Sequence, residues 1–325
     1  MKVKILGTGA YTPEKILDNA YFEKIVETSD AWIVERSGIR QRRVAAPDQP
    51  TSALAAEAAR RALEASGTRP EEIDTLLVAT SSPDRIVPPT AVYVQKALGC
   101  WNAGASDLIA ACSGFAYGLA FGRALVAAGQ SRRCLLIGAE ELSRITNYKD
   151  RTTCVLFGDG AGAVVLGPSD DESDILYART GADGRLEDLI IVPTGGTALA
   201  TTPETLEKGF QFIHMKGREV YKFAVPKFVE IVRQALDACD LTVQDIRAFI
   251  PHQMNARMIE AVAERLALPM DRVVMNIDRY GNTSAASIPI ALDEAVRAGR
   301  IRRGDLIVLS AMGAGLTWGT VILRW

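Results

Sequence analysis

Hydrophobic and polar positions along this chain follow two patterns, one typical of helices and one typical of strands. Residues 51–67 (TSALAAEAARRALEASG) place apolar side chains every three or four positions, and residues 73–80 (IDTLLVAT) form a short apolar run. The first pattern predicts an amphipathic helix and the second a buried strand. The same order, a helix and then a strand, returns at residues 228–240 and 246–252.

These two helix–strand units align without a gap, which indicates an internal repeat. Residues 62–65 (ALEA) align with residues 235–238 (ALDA), a displacement of 173 residues. A second match at nearly the same displacement pairs residues 127–133 (AAGQSRR) with residues 297–303 (RAGRIRR). An apolar strand-like run follows each of them, at 134–138 and at 306–310.

Two matches in the same order and at nearly the same spacing predict a duplicated α/β unit. Because strands alternate with helices in each copy, we expect a mostly parallel or mixed sheet covered by helices. The acidic run PSDDESD at 168–174 is the natural boundary between the copies. We therefore predict an N-terminal half at residues 1–170 and a C-terminal half at residues 171–325.

Two glycine-rich runs are predicted to be turns. Residues 157–165 (FGDGAGAVV) lead into an apolar strand-like run, whereas a dinucleotide-binding fingerprint leads into a helix. This run is therefore predicted to be a hairpin or tight turn. Residues 7–11 (GTGAY) are likewise predicted to be a turn.

Three polar residues fall where strands of such sheets end, which is where ligands bind. Cys112 lies between a strand ending within DLIAA and an apolar helix that begins at Phe115. His252 ends the strand AFIPH. Asn282 follows a strand-like run, MNIDRY, and precedes small residues that can start a helix. We expect these three side chains to converge on one region.

The position of Cys112 before a helix suggests how its thiol is activated. Unpaired N–H groups and the positive end of the helix dipole stabilise a thiolate, so a pKa of about 6.5 instead of ~8.5 is expected. The same N–H groups could bind an oxyanion. The remaining cysteines are interpreted as packing residues: Cys100, Cys134, Cys154 and Cys239.

Composition excludes several classes of protein. The 325 residues carry a formal net charge of −2, so no global positive field attracts nucleic acid or an anionic membrane. No apolar run approaches the ~20 residues of a membrane span, and the apolar stretch at the N-terminus is too short for a signal peptide. Five scattered cysteines without C-x-x-C spacing argue against a metal cluster and for the reducing cytoplasm.

Several longer motifs carry a family resemblance that covers essentially the whole chain. They are SDAWIVERSGIRQRR (29–43), AACSGFAYGL, DRTTCVLFGDGAGAVVL (150–166), MKGREVYKFAV (215–225), PHQMNARMI, YGNTSAASIP and GAGLTWG (313–319). In these the chain resembles the β-ketoacyl-acyl carrier protein synthase III family of thiolase-like condensing enzymes. The resemblance implies a thiolase-like α/β fold, with two duplicated halves in a layered αβαβα arrangement.

The resemblance also implies a reaction and its residues. The family condenses an acyl-coenzyme A primer with malonyl-acyl carrier protein, with loss of carbon dioxide, and so initiates fatty acid biosynthesis. The implied catalytic set is Cys112, His252 and Asn282, with the backbone N–H groups of Cys112 and Ala314 as oxyanion donors. The implied coenzyme A contacts are Trp32, Arg36, Arg151, Gly217 and Asn255.

Further implied contacts concern the carrier protein and the acyl chain. Lys222 and Arg257 match positions that bind acyl carrier protein, Met312 lies at the acyl pocket, and Val87 would reach the pocket of the partner in a homodimer. The coenzyme A thioester is a substrate, and no permanently bound cofactor or metal is expected.

Two departures from the family pattern keep alternatives open. The usual HQAN is HQMN here, with Met254, and Met312 stands where a Phe is usual before the glycine loop. One alternative is a priming ketosynthase or acyltransferase of a secondary, polyketide-type pathway. Another is a non-catalytic protein that binds acyl chains. Elongating ketosynthases and thiolases are disfavoured, because His214 lies outside a GNTS-type turn and the glycine loop SAMGAGLTWG has no cysteine.

Overall fold

The computed structural model describes residues 1–325 and contains two main sheets with the same strand order. The strands are β1 Val3–Tyr11, β2 Lys15–Asp18, β3 Gln41–Val44, β4 Thr75–Ala79, β5 Gly104–Leu108, β6 Cys134–Glu141, β7 Asp159–Pro168, β8 Asp174–Ala182, β9 Ile190–Ile191, β10 His214–Met215, β11 Ala248–Pro251, β12 Leu306–Gly313 and β13 Thr317–Arg324. The first sheet has the order β1-β7-β6-β4-β5 and the second the order β8-β13-β12-β11. Short ladders pair β2 with β3 and β9 with β10.

Helices separate and cover these sheets. They are α1 Asn19–Glu23, α2 Asp30–Ser37, α3 Thr51–Ser66, α4 Thr90–Leu98, α5 Gly114–Ala127, α6 Pro203–Glu207, α7 Gly217–Asp237, α8 Ala256–Leu266, α9 Ile277–Tyr280 and α10 Ser287–Arg297. Two 3-10 turns matter for the site, Ala111–Ser113 before α5 and Ser284–Ala286 before α10. No helix is both long enough and apolar enough to cross a membrane.

The four strands of the second sheet pair with one another in the same way as four of the five strands of the first. In the first sheet β1, β7 and β6 are antiparallel neighbours, and β4 is parallel to β6 and β5. In the second sheet β8, β13 and β12 are antiparallel and β11 is parallel to β12, while a parallel bridge from Phe249 to Val273 stands where β5 would be. The duplication and the α/β fold expected from the sequence are confirmed. The boundary at residue 170 stays a prediction, with β7 and β8 on either side of it.

Helix layers and sheets alternate in the order αβαβα, and each of the three helix layers packs its apolar side chains against a sheet. Between the two sheets, α5 and α10 bury residues such as Phe115, Leu119 and Ile288. Outside the first sheet, α3 and α4 bury an alanine-rich face against it, which includes Leu54. Outside the second sheet, α7 and α8 form the matching layer, which includes Phe228. Each sheet is therefore covered by helices on both faces, so the strand ends are held rigidly.

Both glycine-rich runs are strands, so the prediction of turns is wrong. Residues 7–11 belong to β1, and most of FGDGAGAVV belongs to β7. A Cβ on Gly9 would lie 2.4 Å from the Ala58 carbonyl oxygen, and a Cβ on Gly162 would lie 2.7 Å from the Ile290 nitrogen. These glycines let α3 and α10 lie directly on the sheet.

A second correction concerns the run before Asn282. Residues 275–280 were expected to form a strand, but only Val273 bridges to the sheet, and α9 occupies Ile277–Tyr280. The short helix α9 ends at Gly281, whose φ of +67° reverses the chain direction before Asn282. The C-terminal helix begins where predicted, after the small residues.

We predict that Gly9→Ala destabilises the protein by about 1–3 kcal/mol, because the added methyl group overlaps the backbone of α3. Denaturant unfolding followed by circular dichroism measures this loss. Gly184→Ala is the matched control, since a Cβ there meets no atom within 4 Å and should change stability by less than ~0.5 kcal/mol. Equal stabilities for the two variants would contradict the close approach of α3 to β1.

Candidate functional site

A single large cavity, of about 1040 Å³, brings together most of the residues singled out in the sequence. It is lined from both halves of the chain. The predicted site residues on its wall are Trp32, Arg36, Cys112, Arg151, Gly217, His252, Met254, Asn255, Asn282, Met312 and Ala314. The expected convergence of Cys112, His252 and Asn282 on one region is therefore what the structure has.

Cys112 lies at the junction that the sequence indicated. β5 ends at Leu108, the 3-10 turn Ala111–Ser113 follows, and α5 begins at Gly114. Ala111 has φ of +46°, a strained conformation for a residue with a Cβ, so the turn is sharp. It presents the half-buried Cys112 to the cavity.

The prediction of an acidic thiol is wrong for the free protein. Burial raises the pKa of Cys112 to about 12, and the negative charge of Glu140 adds to the increase. Hydrogen bonding from Ser284 and from the Cys112 N–H acts in the opposite direction but is smaller. The cost of moving a charge out of water exceeds the stabilisation from the helix end. Cys112 is therefore a neutral thiol at neutral pH.

His252 follows β11 and is buried and neutral. Burial lowers its pKa to about 3. Its Nδ1 lies 2.7 Å from Ser287 Oγ, which also accepts the Gln253 N–H at 3.3 Å. Because Ser287 Oγ accepts from Gln253 and Nδ1 is the one acceptor within reach of its proton, the hydroxyl donates to Nδ1 and the ring proton is on Nε2. His252 thus has an N–H donor with no partner in the protein.

Asn282 has a fixed orientation with its amide nitrogen free. Its Oδ1 accepts the Ser284 N–H at 2.8 Å, which distinguishes the oxygen from the nitrogen of the amide. Its backbone bonds to Leu156 and Gly158, at 2.9 and 3.0 Å, join it to the segment before β7. The Nδ2 group makes no hydrogen bond within the protein, so it is a second unpaired donor.

Two backbone N–H groups complete the set of unpaired donors. The N–H groups of Cys112 and Ala314 donate to no other residue, and both residues line the cavity. A Cβ on Gly313 would lie 2.7 Å from the Cys112 nitrogen, so glycine is needed for the loop after β12 to reach the turn that carries the thiol. An oxyanion formed at the thiol could be bound by such a pair of donors.

One wall of the cavity has an aromatic ring flanked by two arginines. The guanidinium of Arg151 lies 4.9 Å from the centre of the Trp32 ring, and that of Arg36 lies 5.8 Å from it. Asn255 caps α8 through the Arg257 N–H and donates to the Arg36 carbonyl oxygen at 2.9 Å. A flat aromatic surface beside two guanidinium groups suits a ligand with both a ring and phosphates.

Three predicted residues lie outside the cavity. Lys222 on α7 and Arg257 on α8 are exposed, each next to a residue that lines the cavity. Val87 is 77% exposed and does not reach the cavity of its own chain. No group of three His, Cys, Asp or Glu side chains could hold a metal ion.

The sequence did not indicate two residues that shape the site. Ser287 sets the tautomer of His252, and Glu140 is a fully buried acid that accepts hydrogen bonds from Ser82 Oγ and the Ser81 N–H. An available signal for Glu140 was the pair of acids that ends the otherwise apolar run CLLIGAEE. Ser287 gave no signal, because its role depends on a contact between distant segments.

The duplicated fold, with a thiol and unpaired donors at the ends of its strands, defines a condensing enzyme of the thiolase-like class. Family models described as 3-oxoacyl-[acyl-carrier-protein] synthase III and its C-terminal region match residues 106–184 and 236–325. The chain therefore belongs to the β-ketoacyl-acyl carrier protein synthase III family. The family resemblance seen in the sequence is confirmed.

Individual relatives are similar over their full length. The β-ketoacyl-[acyl-carrier-protein] synthase III of Caldanaerobacter subterraneus subsp. tengcongensis is 51% identical over 321 residues, 99% of this chain and 97% of that protein. The crystal structure of the synthase III from Aquifex aeolicus VF5 has a TM-score of 0.92 and 45% identity, covering 99% and 100% of the chains. A priming β-ketosynthase of a polyketide pathway also has a TM-score of 0.92, at 35% identity and 99% and 96% coverage.

We predict that alkylation of Cys112 by iodoacetamide is slow at pH 7 and accelerates about tenfold per pH unit up to pH 10. Only the thiolate reacts, and its fraction rises in this way while the pH is below a pKa of about 12. Mass spectrometry of the peptide that contains Cys112 gives the rate. An unstructured peptide with one cysteine, with a thiol pKa of ~8.5, is the control and should level off near pH 9–10. A plateau for Cys112 at pH 7–8 would show that the thiol is acidic after all.

Proposed function

We propose that the protein is a β-ketoacyl-acyl carrier protein synthase III. It would join an acyl-coenzyme A primer to malonyl-acyl carrier protein, with loss of carbon dioxide, in the first condensation of fatty acid biosynthesis. The observation that carries this proposal is one cavity holding a thiol, two unpaired side-chain donors and two unpaired backbone donors. The side-chain donors would bind the enolate oxygen, and the backbone donors would bind the oxyanion that forms at the acyl carbonyl group in both half-reactions.

In the first half-reaction the sulfur of Cys112 attacks the thioester carbonyl carbon of the acyl donor. The bond from that carbon to the coenzyme A sulfur breaks, and the leaving thiolate takes up the proton that Cys112 gives up. The N–H groups of Cys112 and Ala314 stabilise the oxyanion between these events. Because Cys112 is a neutral thiol before substrate binds, its proton must leave as the sulfur attacks.

In the second half-reaction the malonyl thioester loses carbon dioxide and becomes an enolate, whose carbon attacks the acyl carbonyl carbon on Cys112. The bond from that carbon to the Cys112 sulfur then breaks, and the thiolate released takes up a proton from solvent. His252 Nε2–H and Asn282 Nδ2–H would donate to the thioester oxygen where the enolate charge develops. Such a donor is typically worth ~3–4 kcal/mol of transition-state stabilisation. Because both groups are neutral before the reaction, they stabilise this charge without themselves losing a proton.

The cavity wall at Trp32 would bind coenzyme A. We assign the adenine to the Trp32 ring and the phosphates to Arg36 and Arg151, with Gly217 and Asn255 along the path to Cys112. The cation–π geometry supports this assignment. Lys222 and Arg257, exposed beside lining residues of α7 and α8, would meet the acidic carrier protein.

A homodimer is part of the proposal. β5 is an edge strand of the first sheet, and Ile109, directly after it, is 79% exposed. In the loop before α4, Ile86 and Val87 are each 77% exposed. An unpaired strand edge with apolar neighbours is a surface that proteins normally cover. A second copy would cover it and bring Val87 to the acyl pocket of the partner.

A priming ketosynthase of a polyketide-type pathway is the second candidate. Two observations favour it: the fold is shared with such an enzyme, and Met312 lines the cavity where the family usually has Phe. The chemistry at Cys112 would be the same and only the acyl group or the acceptor would differ. Five free cysteines fit a reducing compartment in either case, so we place the reaction in the cytoplasm.

We predict that His252→Ala and Asn282→Ala still transfer an acyl group to Cys112 but lose decarboxylation by about 10²–10³-fold each. The reason is that the oxyanion donors of the first half-reaction are backbone groups, which these substitutions leave in place. Mass spectrometry after incubation with acetyl-coenzyme A measures loading, and release of carbon dioxide from malonyl-acyl carrier protein measures the second step. Cys112→Ser is the control and should not load. If acyl loading of His252→Ala falls as far as its condensation rate, His252 would instead be the base that deprotonates the Cys112 thiol.

We predict that Val87→Trp shortens the longest acyl donor accepted and leaves acetyl loading nearly unchanged. The larger side chain would fill space that only a long chain needs. A panel of acyl-coenzyme A donors gives the profile, and sedimentation gives the oligomeric state. Arg85→Ala, in the same loop, is the control. A fully active monomer, or a donor profile unchanged by Val87→Trp, would contradict the proposed dimer contact.

A further inference from the structure

The two loops that carry the unpaired backbone donors are joined by a pair of hydroxyl groups. Ser113, fully buried, follows Cys112, and Thr317 is the first residue of β13. Their hydroxyl oxygens lie 2.7 Å apart. Ser113 Oγ is also 2.7 Å from the Ala110 carbonyl oxygen, and Thr317 Oγ1 is 3.0 Å from the carbonyl oxygens of both Ala110 and Ala314.

These contacts converge on the strained part of the turn. The Ala110 carbonyl oxygen faces three donor groups, the hydroxyls of Ser113 and Thr317 and the Ser113 N–H at 3.1 Å. Ala111, the next residue, has φ of +46°. Such a conformation costs about 1–3 kcal/mol and persists only where surrounding contacts hold it. The hydroxyl pair supplies side-chain contacts of this kind.

Thr317 can hold both loops because its own position is fixed by the second sheet. Its backbone pairs with Gly313 on β12 and with Ala182 on β8. Ala314, whose N–H is unpaired, lies between Gly313 and Thr317, and its carbonyl group accepts from the Thr317 hydroxyl. The hydroxyl pair therefore links the donor loop of the C-terminal half to the donor loop of the N-terminal half.

We propose that Ser113 and Thr317 are positioning residues that set the spacing of the Cys112 and Ala314 N–H groups around the oxyanion. The proposal rests on the proposed function, since it assigns a role to the donors of the first half-reaction. Neither hydroxyl needs to touch the substrate. Their loss should lower kcat and weaken the hydrogen bonds to the acyl carbonyl oxygen. Coenzyme A binding should be unchanged, because a misplaced oxyanion donor weakens only transition-state stabilisation.

The test compares Thr317→Val, Thr317→Ser and a matched control, Thr320→Val. Thr320 lies on the same strand, is buried, and makes an equivalent hydroxyl contact to Ser310 at 3.0 Å, but it does not line the cavity. With acetyl-coenzyme A, Thr317→Val should load Cys112 and turn over about 10–100-fold more slowly, with KM within twofold of the wild-type value. Thr317→Ser should recover most of the rate, and Thr320→Val should stay within threefold of wild type.

A spectroscopic measurement separates positioning from general loss of stability. Cys112 loaded to completion with a ¹³C-labelled acetyl group gives an infrared carbonyl band, whose frequency falls when the carbonyl oxygen accepts hydrogen bonds. Thr317→Val should shift this band to higher frequency, and Thr320→Val should not. Malonyl decarboxylation, which uses His252 and Asn282, should be unaffected by Thr317→Val.

Two outcomes would overturn the proposal. One is a Thr317→Val variant with wild-type loading and an unshifted carbonyl band. The other is a parallel loss of rate and of thermal stability in Thr317→Val and Thr320→Val, which would make the hydroxyl pair merely structural. If the wild-type protein loads no acyl donor at all, the proposed function fails first, and the role of Ser113 and Thr317 fails with it.

Discussion

The contact between two sharp turns is the constraint on which the site depends. The turn Ala111–Ser113 in one half and the turn Ser284–Ala286 in the other lie at equivalent positions, and each begins with a non-glycine residue at φ of +46° or +47°. They can meet only because their neighbours are small. A Cβ on Gly138 would be 2.3 Å from the Ala285 carbonyl oxygen, and one on Gly313 would be 2.7 Å from the Cys112 nitrogen. This close packing places Cys112 beside residues that come from the opposite end of the sequence.

The unpaired groups of the resulting site are dipoles rather than ions. Cys112 and His252 are both neutral, and the unpaired donors are two peptide groups, an amide and an imidazole N–H. Dipoles that the fold holds in place need no reorganisation when charge develops on the substrate, and they are effective in a water-poor cavity. The arginines lie apart from these groups, beside Trp32, where a ligand with permanent phosphate charges would be bound.

The sequence was sufficient for the duplicated α/β fold and for the convergence of Cys112, His252 and Asn282, since both follow from repeated local patterns and strand ends. It failed where the outcome depends on packing between distant segments. GTGAY was predicted to be a turn because glycine favours turns, but Gly9 is small so that α3 can lie on β1. The thiol was expected to be acidic because helix ends favour anions, but its pKa is decided by burial, which only the folded chain produces.

The equivalence of the two halves also shows how the chemistry is divided between them. At the displacement of 173 residues that relates the two turns, the position of Cys112 corresponds to Ala285 and that of His252 corresponds to Ala79. The thiol lies in the N-terminal copy, and the unpaired imidazole and amide donors lie in the C-terminal copy. Internal duplication here has left no redundancy, because neither copy can stand in for a functional group lost from the other. Each half-reaction therefore needs groups from both copies, because Ala314 lies in the C-terminal copy and Cys112 in the N-terminal one.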